Sequence, residues 1–158
     1  MSTRNEQLRN IGRLYEEAGM PTPASTRDIA EWAIAHGFYD PRPIDLVAQC
    51  ADELSKAFRE EYRRDRHGRR YRAKHAVTIQ LQGGAQLTLW ADFDTAPREH
   101  MEMAFAQRRQ QIVGDCHQLK VDVDCYNDVH SIEEPLQFVL DFTMDIMEIE
   151  AAEGRNLR

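Results

Sequence analysis

The chain has 158 residues and a mass of 18.4 kDa, the size of one domain or of one domain with an appendage. It has 20 basic and 27 acidic residues, which give a formal net charge of −7, and 42% of its residues are hydrophobic. This composition excludes collagen-like, low-complexity and membrane-spanning chains. Three cysteines and the lack of a secretory signal pattern predict a cytoplasmic protein with reduced thiols.

Three helices are predicted before the first strand. Apolar residues at spacings of three and four indicate a helix over residues 4–18. A second helix is expected to begin at Ser25, which has the character of a capping residue, and to end at Gly37. A third helix is predicted over residues 43–62, and its apolar pattern places Cys50 on the buried face.

The period of the apolar residues then changes to two, which predicts a β-hairpin between residues 71 and 94. A three-residue loop of residues 83–85 brings apolar residues opposite each other, whereas a two-residue loop would pair apolar with polar residues throughout. In the resulting register Ile79 pairs with Leu89. His75 lies on the apolar face and is expected to be a core histidine with its hydrogen bonds satisfied.

Two long helices are predicted after the hairpin, over about residues 96–128 and 132–152. Apolar side chains cover most of the circumference of the second, so it should be buried on more than one side. This surplus predicts a homodimer, whose interface residues would be Leu136, Phe138, Val139, Phe142, Ile146 and Ile149. The alternative is that this helix inserts between the N-terminal helices and the sheet and completes the core of its own chain.

Charge is distributed unevenly. Residues 59–74 contain eight basic and three acidic residues, whereas residues 121–153 contain ten acids and no Lys or Arg. A basic patch on an acidic protein can still bind a polyanion, because charges beyond about 8–10 Å are screened at cellular salt. The predicted nucleic-acid-binding residues are Arg59, Arg63, Arg64, Arg66, Arg69, Arg70, Arg72 and Lys74. The competing interpretation is that these residues are solvated or pair with the acidic C-terminal helix; in a DNA-binding dimer, those acids should face away from them.

The order helix, helix, turn, helix, basic turn and strands resembles that of winged-helix domains. Residues 26–30, Thr-Arg-Asp-Ile-Ala, resemble the start of the second helix in bacterial helix-turn-helix regulators, and residues 66–71 resemble a glycine-tipped basic wing. The resemblance covers residues 4–93 and is generic. It implies DNA binding and a role in transcription regulation, with the basic residues placed to contact phosphates and not obviously to read bases.

Other chemistry has little support. Cys116, His117, Cys125 and His130 lack the paired spacing of a zinc site. Asp92 and Asp94 are two residues apart on a strand and could bind a divalent ion for hydrolysis, but we expect them to be an exposed strand end. The sequence therefore predicts no metal, no cofactor and no enzymatic activity.

Together these observations predict an α+β, mainly helical fold. A winged-helix-like domain with one β-hairpin would occupy residues 1–94, and a long helical hairpin residues 95–158. The predicted function is that of a small cytoplasmic DNA-binding or regulatory accessory protein that is dimeric and has no membrane association. The alternative is a non-enzymatic protein-protein interaction module, a dimeric adaptor whose basic turn binds an acidic partner protein.

Overall fold

The computed structural model of the chain describes residues 2–42, 46–130 and 133–156. Within them the fold is mixed α+β and mainly helical, with two small antiparallel sheets, which confirms the predicted class. The helices are α1 (Arg4–Glu17), α2 (Thr26–Ala35), α3 (Leu46–Arg59), α4 (Arg98–His130) and α5 (Thr143–Asn156). The strands are β1 (Tyr62–Arg64), β2 (Arg70–Arg72), β3 (Lys74–Gln80) and β4 (Gln86–Asp92).

The chain divides into two compact units, Met1–Gln49 and Cys50–Arg158, with the boundary inside α3. The domain boundary predicted between residues 94 and 95 stays a prediction, although contacts between β3 and α4 cross it. Every residue of the predicted nucleic-acid-binding segment belongs to the second unit. No helix among the described residues is long and apolar enough to cross a membrane.

The first unit contains α1 and α2, both as predicted, and the first residues of α3. Ser25 begins α2, because its hydroxyl accepts a hydrogen bond from the backbone N–H of Asp28 at 3.1 Å. The buried residues among those described in this unit are Tyr15 and Ala33, and the rings of Tyr15 and Trp32 meet edge to face with 5.5 Å between their centroids. These contacts hold α1 and α2 together.

The predicted third helix and first strand both differ from the structure. Helix α3 ends at Arg59, because Tyr62 already begins β1, a strand that pairs with β2; residues 43–45 lie outside the described residues. A bend at the fully buried Ala73 divides the predicted strand into β2 and β3. The backbone N–H of Ala73 donates to the carbonyl of Glu61 at 2.9 Å, and the carbonyl of Ala73 accepts from Phe93 at 2.8 Å.

The β3–β4 hairpin has the predicted three-residue loop length but not the predicted register. Its loop is residues 82–84, one residue earlier than expected, so Ile79 pairs with Leu87. The last residue of such a loop favours the left-handed region, and Gly84 occupies it with φ of +84°. In the predicted loop Ala85 would take that conformation, at a steric cost. Because the register moves by two residues, apolar side chains still share one face.

Helix α4 docks on β3 through two side chains seven residues apart in sequence. The carboxamide of Gln107 forms two hydrogen bonds of 2.8 Å with the backbone N–H and carbonyl of Thr78. The Nε2 atom of His100 lies 2.9 Å from the carbonyl oxygen of His75. Ala104 lies between these two side chains and is fully buried, so the small side chain allows the helix to approach closely.

The predicted last helix is wrong in its first half, since residues 135–142 are not helical and α5 begins only at Thr143. Pro135 lacks an N–H donor and disfavours helix in the residue before it. The side chain of Asn127 then hydrogen-bonds both the carbonyl and the N–H of Leu136, at 2.9 and 3.0 Å. A carboxylate oxygen of Asp141 accepts from the N–H and hydroxyl of Thr143, which favours starting the helix there.

The predicted dimer residues are therefore divided between two kinds of structure. Four lie in the non-helical segment and two on α5, and all six are exposed: Leu136, Phe138, Val139, Phe142, Ile146 and Ile149. The alternative, in which the last helix inserts between the N-terminal helices and the sheet, stays a prediction. Cys50 is also exposed, so its predicted burial is wrong; α3 has no buried residue.

Candidate nucleic-acid interface

The turn between β1 and β2 is shaped by an acid inside the basic segment. One oxygen of Asp65 accepts hydrogen bonds of 2.9 Å from the backbone N–H groups of His67 and Arg69, and the other accepts from Nε of Arg69 at 2.6 Å. Gly68 takes the left-handed position with φ of +76°. Desolvation raises the pKa of Asp65, but the hydrogen bonds from Arg69 outweigh it, so the pKa lies below its usual value. The turn is thus held in one shape by its own charges.

Two of the predicted binding residues are paired with carboxylates in what we term the Asp92 cluster, formed by Arg63, Lys74, Asp92 and Asp94. The guanidinium of Arg63 donates to the two oxygens of Asp92 at 3.0 and 2.6 Å and to Asp94 at 3.0 Å. The ammonium of Lys74 donates to Asp92 at 2.9 Å. Hydrogen bonds from Arg63 and then Lys74 hold the pKa of Asp92 well below its usual range. The cluster joins β1 to β3 and β4 and offsets the charge of both cations.

Three arginines around the turn are exposed and have no carboxylate partner among the described residues: Arg64, Arg66 and Arg70. The guanidinium of Arg70 lies 3.7 Å from the centroid of the Tyr62 ring, a cation–π contact that leaves its N–H groups available. The guanidinium of Arg64 donates to the carbonyl of Gly68 at 2.9 Å, which fixes the side chain beside the turn. These three side chains carry the charge that is left free at the turn.

A cavity of about 150 Å³ is lined by the end of α3, by β2, β3 and β4, and by α4. Its cationic lining residues are Arg59, Arg72, Lys74 and Arg108. Trp90 also lines it, and the guanidinium of Arg59 lies 5.7 Å from the Trp90 ring centroid. We call this the arginine cavity.

Two neighbouring groups respond to the positive charge of the arginine cavity. Desolvation, and then the charge of Arg72, lower the pKa of Arg108. Desolvation also lowers the pKa of His75, and the charges of Arg108, Arg72 and His100 add to that effect, so His75 is neutral at pH 7. The predicted burial of His75 is confirmed, but only Nε2 is satisfied, by the carbonyl of Arg72 at 2.8 Å; Nδ1 has no partner among the described residues.

Acidic side chains of α5 lie near the basic turn. A second cavity, of about 850 Å³, is lined by three arginines and two glutamates: Arg64, Arg69, Arg70, Glu150 and Glu153. No ion pair joins the two groups within the described part of the chain. The expectation that the C-terminal acids face away from the basic segment is therefore wrong for Glu150 and Glu153. The non-helical residues 135–142 move the start of α5, which changes where its acids lie.

Arg108 and Trp90 are the site residues that sequence reasoning misses. Arg108 occurs in a long helix where arginine is an ordinary surface residue, so nothing in its local pattern indicates a cavity. Trp90 gives a weak signal, because a large aromatic residue stands on the predicted polar face of the hairpin. In the structure its ring packs against Phe58 of α3, with 5.4 Å between the ring centroids.

Metal and hydrolytic sites find no support in the geometry. Within residues 2–42, 46–130 and 133–156, no group of three or more His, Cys, Asp or Glu side chains is placed to hold a metal ion. Asp92 and Asp94, the candidate hydrolytic pair, both bind Arg63.

No family model, no curated protein and no solved structure matches the chain.

Replacing Asp92 with Asn should lower the free energy of unfolding, because Arg63 and Lys74 would then lose the carboxylate they share. The pKa of Asp92 is depressed in the folded chain, so its contribution is complete above the unfolded value of about 3.9 and is lost as the pH falls below it. The difference between wild type and Asp92→Asn, measured by urea unfolding, should be constant near neutral pH and shrink below pH ~4.

The matched control is Asp52→Asn, which removes one exposed acid from α3. We expect it to have little effect on the unfolding free energy at neutral pH. Equal effects of the two substitutions, or an Asp92→Asn effect that does not change with pH, would contradict a stabilising role for the Asp92 cluster.

Proposed function

We propose that this protein binds nucleic acid by contacting phosphates with the β1–β2 turn. The observation that carries this proposal is the charge arrangement of the second unit: Arg64, Arg66 and Arg70 project from a turn whose shape is fixed by Asp65, and no described carboxylate pairs with them. Exposed, preoriented guanidinium groups suit phosphate oxygens, because their planar donors can bind two oxygens at once. Arg63 and Lys74 have a smaller part in this proposal than the sequence suggests, since Asp92 already binds both.

The same turn would act as the wing of a winged-helix-like arrangement. The glycine-tipped loop, its flanking strands and the preceding helix occur in the required order. Only Lys56 and Arg59 are basic in the last turn of α3, so that helix has few side chains suited to base edges. We therefore favour phosphate contacts with little sequence preference, in a cytoplasmic DNA-binding or regulatory accessory protein. Its three free cysteines fit that reducing compartment.

Replacing both Arg64 and Arg70 with Gln should weaken binding to all duplex sequences alike. Each phosphate that is no longer neutralised should reduce the slope of log affinity against log salt by about 0.9, so the slope of the double variant should fall by up to about 2. Fluorescence anisotropy with a labelled duplex at several salt concentrations measures both affinity and slope. The charge-matched control is Arg9→Gln with Arg13→Gln, two exposed positions of α1 in the first unit.

An unchanged slope in the Arg64/Arg70 variant, or an equal loss of affinity in the α1 control, would contradict the proposed interface.

A second candidate function, binding of an acidic protein, is favoured by one observation: Glu150 and Glu153 line the same cavity as Arg64 and Arg70. The same titration with polyglutamate separates the two. Tighter binding of polyglutamate than of DNA at equal ionic strength would favour the protein partner.

We also propose that the chain forms a homodimer through its C-terminal segment. Phe138 and Phe142 are 61% and 39% exposed, and a phenylalanine carries about 150–250 Å² of surface, so these two alone expose on the order of 200 Å². Val139 is 82% exposed and Ile149 58%. Contiguous apolar patches of several hundred Å² are uncommon on monomers, and a two-fold dimer is the commonest way to cover one.

Sedimentation velocity at micromolar concentration should therefore show a dimer. Val139→Asp should dissociate it without unfolding the chain, because this side chain contributes little buried surface to its own protomer. The control is Ile34→Asp, which places the same charge on another exposed apolar position, in α2. A monomeric wild type, or loss of helical circular dichroism in Val139→Asp, would contradict the proposed interface.

A further inference from the structure

The arginine cavity holds positive charge that no described residue offsets. Arg72 and Arg108 are half-buried, line the same cavity, and have no carboxylate partner within the described residues. Lys74 also lines it but is already bound to Asp92. The cations left for a ligand are thus the two half-buried guanidiniums and the more exposed Arg59.

This arrangement is unfavourable without a counter-ion. Partial burial removes hydration from a guanidinium, and a second guanidinium nearby adds repulsion. The pKa of Arg108 shows both effects, since desolvation and the charge of Arg72 lower it. Arginine nevertheless stays protonated in proteins, so the charge cannot be relieved by losing a proton. A bound anion would offset it.

The size and chemistry of the cavity limit which anion fits. A water needs about 10–15 Å³ of such space, so the cavity, at about 150 Å³, accommodates a small polyatomic group. Two guanidinium forks offer more donors than the two oxygens of a carboxylate can accept, and a dianion offsets two charges. The side chains of Thr88 and Gln111 also line the cavity and supply further polar groups.

His75 contributes a neutral ring to this lining, so it adds no further positive charge. Its Nε2 lies 2.8 Å from the carbonyl oxygen of Arg72, so Nε2 carries the proton of the neutral ring and Nδ1 is an acceptor. The side chain is 5% exposed, and Nδ1 has no hydrogen-bond partner among the described residues. The positive charge of the cavity therefore comes from its arginines and Lys74, and not from this histidine.

We propose that the arginine cavity binds a phosphoryl group, with Arg72 and Arg108 donating to its oxygens and Arg59 completing the site. A monoester or free phosphate suits the site better than a backbone phosphodiester, which has one charge and chain on both sides. The phosphoryl group can come from free phosphate or from the 5′-terminal phosphate of a nucleic acid. Only the second source rests on the function proposed above.

The test is a titration of the folded chain with sodium phosphate against sodium chloride at equal ionic strength. Trp90 lines the cavity, so its fluorescence reports binding, and loss of the signal in Trp90→Phe assigns the change to this residue. We expect phosphate to shift the fluorescence and raise the melting temperature. Arg108→Gln should weaken phosphate binding by on the order of tenfold or more, because it removes a charge-assisted donor.

Arg108→Gln should fold normally, since Arg108 holds no described partner and its removal relieves repulsion of Arg72. The matched control is Arg109→Gln, an exposed arginine of the same helix that does not line the cavity. Equal responses to phosphate and chloride, or equal losses of affinity in the two variants, would overturn the proposal. Arg108→Lys, which keeps the charge without the fork, should bind phosphate with intermediate affinity.

Two oligonucleotides, with a 5′-phosphate and with a 5′-hydroxyl, identify the source of the phosphoryl group. Tighter binding of the phosphorylated strand, abolished in Arg108→Gln, assigns the site to nucleic-acid ends. Equal binding of both strands, together with a response to free phosphate, assigns it to small phosphate compounds. If both strands bind but free phosphate and the 5′-phosphate have no effect, the cavity proposal fails while nucleic-acid binding stands. If neither strand binds but free phosphate does, the cavity proposal stands and nucleic-acid binding fails.

Discussion

The second unit of this protein depends on the paired charges around Asp92. This carboxylate receives a two-pronged contact from Arg63 of β1 and a third hydrogen bond from Lys74 of β3. Networks of this kind can stabilise where isolated surface pairs contribute little, because several charges share one geometry. The network fixes the β1–β2 hairpin against the β3–β4 sheet, and with it the direction in which the basic turn projects.

The same network distinguishes two kinds of cation in the basic segment. Arg63 and Lys74 hold strands together, whereas no carboxylate among the described residues pairs with Arg64, Arg66 or Arg70 at the turn. A protein with a net charge of −7 can thereby present a positive surface, since solvent ions screen the acids that lie more than about a Debye length away. Glu150 and Glu153 are the nearby exceptions. Their negative charge would oppose a polyanion that approaches the turn.

Much of this arrangement can be predicted from local sequence signals. The N-terminal helices follow from periodicity and from Ser25 as a cap, and the apolar face of the β3–β4 hairpin follows from alternation. The predicted loop position is wrong by one residue, because apolar pairing alone does not state which glycine takes the left-handed conformation. The predicted last helix begins too early, because the pairing of Asn127 with the backbone of Leu136 is a tertiary contact without a sequence period.

For the candidate sites as well, local sequence signals predict one part of the arrangement, and tertiary contacts determine the rest. The exposed arginines of the turn can be named from charge density, since charge patterning is visible along the chain. The pairing of Arg63 cannot be predicted from charge density, because its partner Asp92 is 29 residues away and the contact depends on how the two hairpins meet. Arg108 and Arg72 come together only because Gln107 and His100 dock α4 on β3. Cavities between distant elements are in general beyond the reach of periodicity.

The most direct test is an NMR titration of the arginine Nε–Hε resonances of the ¹⁵N-labelled chain with a short duplex. We expect the resonances of Arg64, Arg66 and Arg70 to shift together as DNA is added, while Arg63 stays unchanged in its contact with Asp92. Shifts of Arg63 as large as those of Arg64 and Arg70 would contradict this division of the cations. So would shifts confined to the arginines of α1.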